Sequence, residues 1–483
     1  MAAICVDAGT TVIKAVGYTS DGTESAVARR SVAVSRPAPG HAEQDMDAVW
    51  TAVAAVVAEV AAELGPVDFL ALTAQGDGCW PVGRDGAPTG PAILWNDARA
   101  AGIVGEWNRS GVSERAFRVN GSAPASGLPS AILAWLSAHD PDRLARSSSV
   151  LNCGGWLFAK LTGHLATDYS AFTDLLAGSY SAELLTLYGL EHAGRLLPEL
   201  RLTDRAEPLT RAAAEQIGLP EGTPVVLAPY DIAATALGAG AVADGQACAI
   251  LGTTLCTEIV VDRPTLDGEP AGITVALGSS YLRAMPTFAG TEVIHWACQL
   301  LGLSGPAELA DLAARGAPGA GGLAFLPYLS PAGERSPFVD PQARGSFLGL
   351  SLEHGREHVA RAVLEGLALV IADCLAAAGG SPHELRVCGG GAASALWVRL
   401  IADTTGLPVL RSADAEAGAR GAFLVGLVAT GAAPSTAHAA AQHVRPGRPV
   451  HPTGSIMKFQ DFMALREAAS STWPLLAELR SRT

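Results

Sequence analysis

Ile4-Cys5-Val6-Asp7-Ala8-Gly9-Thr10-Thr11-Val12-Ile13-Lys14-Ala15-Val16 sets two apolar runs around a short polar turn. The pattern predicts a β-hairpin whose turn region carries one carboxylate, one glycine, two hydroxyls and one cation. Such a turn suits phosphate. Gly9 can take backbone angles closed to other residues and lets a polyanion approach, while the Thr10 and Thr11 hydroxyls and the N–H groups of the turn donate to its oxygens. Asp7, at the end of the first run, is placed to hold Mg²⁺, directly or through water. The same letters also describe an ordinary β-turn, and a motif this short decides nothing by itself.

A second copy shifts the balance. Ala249-Ile250-Leu251-Gly252-Thr253-Thr254-Leu255-Cys256-Thr257-Glu258-Ile259-Val260 repeats the plan in the second half of the chain. Two phosphate-type hairpins imply two related domains facing one cleft.

The chain's 483 residues suffice for two or three domains with full-sized cores, and a content of 49% hydrophobic and 17% charged residues is globular rather than disordered. A net charge of −14 argues against a nucleic-acid surface, so a polyanionic ligand must be met by local donors and a metal ion. The eight cysteines form no CxxC pair and several lie in apolar runs, which points to buried, reduced thiols. The N-terminus enters a strand pattern with no charged lead and apolar core, so no secretory signal is expected and the protein is expected in the cytoplasm. The longest apolar stretch, Val49 to Leu64, is interrupted by Glu59 and Glu63 and is too short to span a bilayer.

In chain order, Asp21-Gly22 predicts the turn of a three-stranded meander, and about Met46 to Leu64 a long helix behind a polar loop holding Glu43 and Asp45. Phe69–Thr73 predicts a strand ending in Ala74-Gln75-Gly76-Asp77-Gly78, where open α/β sheets place ligand groups. Ala92 to Arg99 reads as a strand presenting Trp95, Asp97 and Arg99 on one face, at i, i+2 and i+4. Thr223 to Asp231 is a buried strand ending in a carboxylate, followed by the small-residue helix from Ile232. That acid is either a helix cap or a ligand-facing base. Asp168, in Thr167-Asp168-Tyr169-Ser170, carries the same ambiguity. The domains should change between Gly238 and Gly245, and Leu266-Asp267-Gly268 should turn a second meander. Leu385–Gly391 is a strand running into a glycine-rich turn, which can lay a nucleotide against bare backbone at the start of the helix from Ala392. After Pro446-Gly447-Arg448-Pro449 a last helix is expected over about Gln460 to Ser481.

From about Ile4 to about Gly421 the chain resembles the FGGY carbohydrate kinases of the actin and sugar-kinase superfold. The two Gly-Thr-Thr hairpins and Trp95-x-Asp97-x-Arg99 carry part of the likeness. The most specific part is Leu326-Pro327-Tyr328-Leu329-Ser330-Pro331-Ala332-Gly333-Glu334-Arg335-Ser336-Pro337-Phe338, followed by Asp340-Pro341 and Ala343-Arg344-Gly345. Glu334 and Arg335 are read as a structural pair inside a rigid loop. The helix with Arg361 to Ala368 matches as well, its Gly366 serving close helix packing. One departure is Ser130, where many relatives carry a lysine.

The resemblance implies a two-domain α/β, actin-like ATPase (ribonuclease H-like) fold with an interdomain cleft. The expected divisions are a sugar-binding domain at 1–243, a nucleotide-binding domain at 244–440, and a linker with C-terminal helix at 441–483. It implies ATP and Mg²⁺ as cofactors, Asp231 as general base and Asp7 at the metal. Gly9, Thr10, Thr11, Lys14, Gly252, Thr253 and Thr254 would cradle phosphates, and Gly389, Gly390, Gly391 and Ser394 would lie at the adenosine. Trp397, Asp403, Gly406, Glu416 and Gly421 complete that family match. Gln75, Asp77, Trp95, Asp97, Arg99 and Asp231 would contact the sugar. The expected partners are ATP and a small sugar or polyol, without nucleic acid or membrane, and a homodimer is the assembly considered.

Glycerol kinases of this family carry Arg-Glu in the loop after the strand matching Phe69–Thr73, and xylulose kinases carry Met-His-Gly. Gln75-Gly76-Asp77-Gly78 fits neither and is similar to the loop of kinases acting on erythritol and related polyols. A small linear four- or five-carbon polyol or its ketose, phosphorylated on a terminal hydroxyl, is therefore expected, with D-xylulose as the alternative. Two other classes share the superfold. An ATP-driven conformational machine would carry a polymerisation insert or peptide-binding domain, and none is evident. A sugar-responsive repressor would need a helix-turn-helix ahead of Ile4.

Overall fold

In the computed structural model, which describes residues 2–454 and 457–482, the two opening apolar runs form β1 (Ala3–Ala8) and β2 (Val12–Tyr18). They pair antiparallel with Asp7 opposite Lys14. β3 (Glu24–Ser31) completes the first meander through a turn in which Gly22 takes φ of 81°. The helix α1 (Met46–Leu64) starts where the Asp45 carboxylate accepts from the Ala48 N–H at 3.1 Å. Its buried stripe of Val49, Val53, Val56, Val57 and Val60 recurs every three or four residues and lies on β2 and β3. β4 (Phe69–Ala74), buried at all six positions, runs parallel to β1. With β5 (Ala206–Pro208) and β6 (Pro224–Leu227) the sheet order is β5-β6-β4-β1-β2-β3.

The second half builds another six-stranded sheet from β7 (Gln246–Leu251), β8 (Leu255–Val261), β9 (Ile273–Leu277), β10 (Ser280–Pro286), β11 (Glu384–Cys388) and β12 (Val409–Arg411). Its order is β9-β10-β8-β7-β11-β12. The hairpin β7–β8 and the parallel pair β7–β11 copy β1–β2 and β1–β4. The expected second meander is not formed, because β8 pairs with β10 and not with β9. β10 has four consecutive buried residues and takes the inner place, whereas β9 ends in two half-exposed ones and takes the edge. Leu266-Asp267-Gly268 therefore lies in a crossing loop, and Gly278 turns the hairpin.

Four further helices position the cleft: α2 (Asp231–Ala239), α3 (Arg356–Ala378), α4 (Ala395–Thr405) and α5 (Ala417–Ala429). α2 and α5 touch backbone to backbone. A Cβ on Gly238 would stand 1.8 Å from the Ala417 carbonyl oxygen, and one on Gly421 would stand 1.8 Å from that of Ala234. α5 also carries Phe423 into a core shared with Val16, Tyr18, Phe69 and Ala71, so a helix from late in the chain covers one face of the first sheet. In α3, Gly366 lets the Phe325 carbonyl come within 2.4 Å of where a Cβ would be, as close packing requires.

The chain ends in two helices where one was expected, α6 (Phe459–Ser470) and α7 (Trp473–Ser481). Pro474, in the first turn of α7, has no N–H for a helix continuing from α6. The tail is docked: Arg466 pairs with Asp373 of α3, and buried Trp473 stacks on Phe338 with ring centroids 5.8 Å apart. All eight cysteines are free and buried. Among the described residues, no helix is long and apolar enough to cross a membrane.

Overpacking of a tight core contact costs about 1–3 kcal/mol, and Gly421→Ala should cost at least that, read as a lowered urea midpoint. Gly390→Ala, where a Cβ meets nothing within 4 Å, is the matched control and should shift the midpoint little.

Candidate active site

The two hairpins and the strand-end acids meet between the sheets. Asp7 leaves β1 as a half-buried carboxylate. A Cβ on Gly418, in the first turn of α5, would lie 2.9 Å from its Oδ2. Burial pushes the Asp7 carboxyl above the usual carboxylate range, with Lys14 opposing the shift and Glu416 adding to it. Asp231 opens α2 and accepts from the Ile232 N–H at 2.8 Å. Burial, and after it the charge of Asp7, raise Asp231 to about 7. A carboxylate of that strength can accept a proton at neutral pH.

Gly9 does not take the left-handed backbone conformation expected of it. It is tight instead, since a Cβ there would sit 3.0 Å from the Val12 carbonyl oxygen. The Thr10 hydroxyl is engaged: it donates to Gln75 Oε1 at 3.0 Å and accepts from Trp95 Nε1 at 2.9 Å. Gln44, which no motif marks, closes the network by donating to the Thr10 carbonyl at 2.7 Å and accepting from Gln75 Nε2 at 2.8 Å. Gln75 and Trp95 are thus tied to the hairpin. Thr11 stands exposed at the tip, and Lys14 pairs with Glu416 at 2.7 Å.

The strand expected from Ala92 to Arg99 ends at Ile93, so the one-face argument for Trp95, Asp97 and Arg99 fails. The Asp97 carboxylate captures the N–H groups of Ala42 and Arg99, at 2.6 and 2.8 Å, and holds the chain in a turn. The Arg99 guanidinium meets both Asp97 oxygens at 2.9 Å and Glu43 at 2.7 Å. Asp97 and Arg99 come together, then, but as a buried knot.

The loop after β4 is different. Asp77 has φ of 53°, uncommon for any residue but glycine, and its Oδ1 is buried with no partner. Gly76 presses on the Tyr230 ring, 2.0 Å from where a Cβ would be, and Gly78 donates to the Gly127 carbonyl at 3.0 Å. Asp174, a residue no motif pointed to, accepts from the Ser130 N–H at 2.9 Å and leaves its Oδ1 unpaired. The Tyr230 hydroxyl is likewise buried without a partner. Burial raises Asp77 to about 8 and Asp174 to about 6, and the Asp174 charge adds to the shift of Asp77. Orphaned buried polar groups gathered in one place are a site in want of a polar ligand.

From the second domain, Glu334 and Arg335 do not pair through their side chains as expected. Glu334 accepts from the N–H groups of Phe288 and Arg335, at 2.7 and 2.9 Å. The Arg335 guanidinium lies 4.9 Å from the Phe288 ring and 5.3 Å from the ring of Trp95, which belongs to the other domain. The Gly252-Thr253-Thr254 turn is braced by Thr291 and Glu292, whose N–H groups donate to the Gly252 and Thr253 carbonyls. Gly389, at φ of 83°, abuts Leu251 beside that turn. Gly390 faces open space, and Gly391 packs on Trp397. Ser394 caps α4 by accepting from the Trp397 N–H.

The other residues of the expected adenosine match are architectural: Trp397 is core, Gly406 ends α4, Glu416 binds Lys14 and Arg29, and Gly421 lies in the helix crossing. Asp403 holds Thr453. Asp168 accepts from the Ser170 N–H, while the Ser170 hydroxyl accepts from Tyr230 N, which ties this turn to the strand end bearing Asp231. Asp168 also lines a separate cavity of about 500 Å³, shared by Thr173, Pro229, Thr274 and Tyr281, that contains neither Asp7 nor Asp231.

Paired sheets with matching phosphate-type hairpins and a buried acid between them are an arrangement suited to phosphoryl transfer. The sequence matches the N-terminal domain of the FGGY family of carbohydrate kinases over residues 2–238 and the C-terminal domain of that family over 247–430. The chain belongs to the FGGY family of carbohydrate kinases and is an ATP-dependent sugar kinase. It is 33% identical to the erythritol kinase of Brucella abortus (strain 2308), covering 99% of this chain and 98% of that one. It is 30% identical to the L-xylulose/3-keto-L-gulonate kinase of Escherichia coli (strain K12), covering 88% of each. Among solved structures, the xylulose kinase from Rhodospirillum rubrum superposes with a TM-score of 0.89 at 27% identity, over 98% of this chain and all of that one.

The raised Asp77 carboxyl has a consequence for stability. Its proton is held in the folded state up to about pH 8, whereas in the unfolded chain it leaves near pH 4, so folding loses stability as pH rises through that window. Ligand-free Asp77→Asn should therefore melt above wild type at pH 8–9, and the difference should shrink toward pH 5. Thermal unfolding across that range measures it.

Proposed function

We propose that the enzyme transfers the γ-phosphoryl group of ATP to a terminal hydroxyl of a small linear four- or five-carbon polyol or its ketose. The observation that carries this reading is the Asp77 loop, in which the carboxyl oxygen Oδ1 is buried without a partner in the electrostatic field of Asp174 and Asp231. Such an oxygen accepts from a hydroxyl, and neighbouring hydroxyls of a linear polyol offer donors at its spacing. The name of the Brucella abortus relative, erythritol kinase, agrees with it. The ketose form, D-xylulose included, is the second reading, supported by the relatives named for L-xylulose and xylulose.

In this mechanism Asp231 takes the proton of the attacking hydroxyl, and its raised affinity for a proton suits the task at neutral pH. Asp77, with Gln75 and Trp95 held behind it by Thr10, orients the sugar, and the Asp97–Arg99 knot keeps Trp95 in place. Thr11, Thr253, Thr254 and the glycines of both hairpins donate to the phosphates. Thr10 and Lys14, engaged with Gln75, Trp95 and Glu416, shape the turn from behind. The Gly389–Gly391 turn, open at Gly390, receives the adenosine.

Asp7 fits Mg²⁺: among the described residues no hydrogen-bond donor occupies its carboxylate, and no group of three metal-binding side chains exists to hold an ion without the nucleotide. The ion would ride with the phosphates and neutralise their charge as ADP leaves. Domains closing over both substrates exclude water, the competing phosphoryl acceptor.

Asp231→Asn should lower turnover by at least ~10²-fold while ATP still binds. In wild type, kcat/KM should fall about tenfold per pH unit below about 7 as Asp231 takes up its proton. Near-normal turnover in the folded variant would remove Asp231 from this role. An ADP-release panel of erythritol, pentitols, pentuloses, glycerol and aldohexoses tests the substrate class. Erythritol, the pentitols or the pentuloses should lead in kcat/KM, and a tenfold lead by glycerol or an aldohexose would refute the assignment.

A further inference from the structure

Arg335 sits in the second domain, yet it faces the sugar loop of the first. Its guanidinium lies between the Phe288 ring of its own domain and the Trp95 ring of the other. Nε donates to the Pro286 carbonyl at 3.0 Å, and among the described residues both Nη groups, with their four N–H donors, have no hydrogen-bond partner. The loop that carries it is fixed. Glu334 is pinned by two backbone N–H groups, and a Cβ on Gly333 would stand 2.1 Å from the Asp340 carbonyl oxygen. Phe338 is held between Trp473 and the Arg466 guanidinium.

Across the cleft, Asp77 presents the complementary group, an acceptor oxygen buried without a donor. Each side feels the other, since the Arg335 charge favours ionised Asp77 and the Asp77 charge favours protonated Arg335. No ion pair joins them directly. A hydroxyl group can answer both sides, because its O–H donates to a carboxyl oxygen while its own oxygen accepts from a guanidinium.

We propose that a hydroxyl of the acceptor substrate bridges Asp77 of the first domain and Arg335 of the second, making Arg335 a sugar-contacting residue that couples sugar occupancy to domain closure. This rests on the reading that the Asp77 loop holds a polyhydroxylated substrate. It also gives the Gly-Glu-Arg stretch a task beyond loop architecture: Glu334 secures the loop, and Arg335 works across the cleft.

The test is steady-state kinetics of full-length wild type, Arg335→Ala, Arg335→Lys, Asp77→Ala and the Asp77→Ala/Arg335→Ala double variant, on whichever panel substrate wild type uses best. Arg335→Ala should raise the KM for that substrate at least about tenfold, as loss of a charge-assisted hydrogen bond predicts, with the ATP KM within twofold of wild type. Arg335→Lys keeps the charge and should recover part of the loss, which also guards against a folding defect in the alanine variant. In the double variant the two effects should be far from additive, since each single change already breaks the bridge. A sugar KM within twofold of wild type, a parallel rise in the ATP KM, or simple additivity would each overturn the proposal. A failure of the polyol reading shows itself elsewhere, as a wild-type preference for glycerol or an aldohexose, and leaves this comparison intact on that substrate.

Discussion

The contact between α2 and α5 is the constraint on which the site depends. Because Gly238 and Gly421 let the two backbones meet, the start of α5 comes down on the end of β1, where Gly418 lies against Asp7 and Glu416 captures Lys14. The start of α2 carries Asp231. The acid at the end of β1 and the acid that opens α2 thus stand on either side of this crossing, at the separation at which the first raises the second. Any side chain larger than hydrogen at the crossing would wedge the helices apart, moving Asp231 and lifting the start of α5 from Asp7. Small residues here are a geometric demand of the chemistry, transmitted through packing.

Buried acids without partners work against folding, and this chain keeps several. Each unsatisfied oxygen costs about 1–3 kcal/mol, a sizeable share of a domain's net stability of about 5–15 kcal/mol. Asp77, Asp174 and Tyr230 are held nevertheless in a rigid setting: Gly76 clamped on Tyr230, Gly78 bonded to Gly127, and Ser130 bonded to Asp174. The cost is recovered when a ligand brings the missing donors. A pocket of this kind favours neutral, hydroxyl-rich molecules, because a ligand carboxylate would have to be buried beside Asp77 and Asp174, where burial already opposes negative charge.

Much of this architecture was legible in the residues. The paired Gly-Thr-Thr hairpins announced two related domains, the valine stripe of α1 announced its buried face, and the strand-to-helix change at Asp231 was read where the helix begins. What stayed hidden shares a cause, which is distance along the chain. Asp174 and Ser130 are 44 positions apart, and Arg335 meets Trp95 from the other domain. No local period encodes such meetings. The misreading of Ala92–Arg99 had the opposite origin: alternation suggested a strand, but a carboxylate that can capture nearby backbone N–H groups bends the chain into a turn instead. The second meander failed for a related reason, since strand order in a sheet follows which run can be buried on both sides and not which comes next.

The placement of α5 has a consequence for how the protein is made. Tyr18, Phe69 and Ala71 on the first sheet are covered by Phe423 and its neighbours, and about 350 residues of chain separate Phe69 from Ala417. At synthesis rates of roughly 5–20 residues per second, that apolar face waits on the order of 20–70 s for its cover. Through that interval the nascent first domain presents an aromatic surface to everything around the ribosome. A chaperone able to shield that face for a minute would serve the yield of this enzyme.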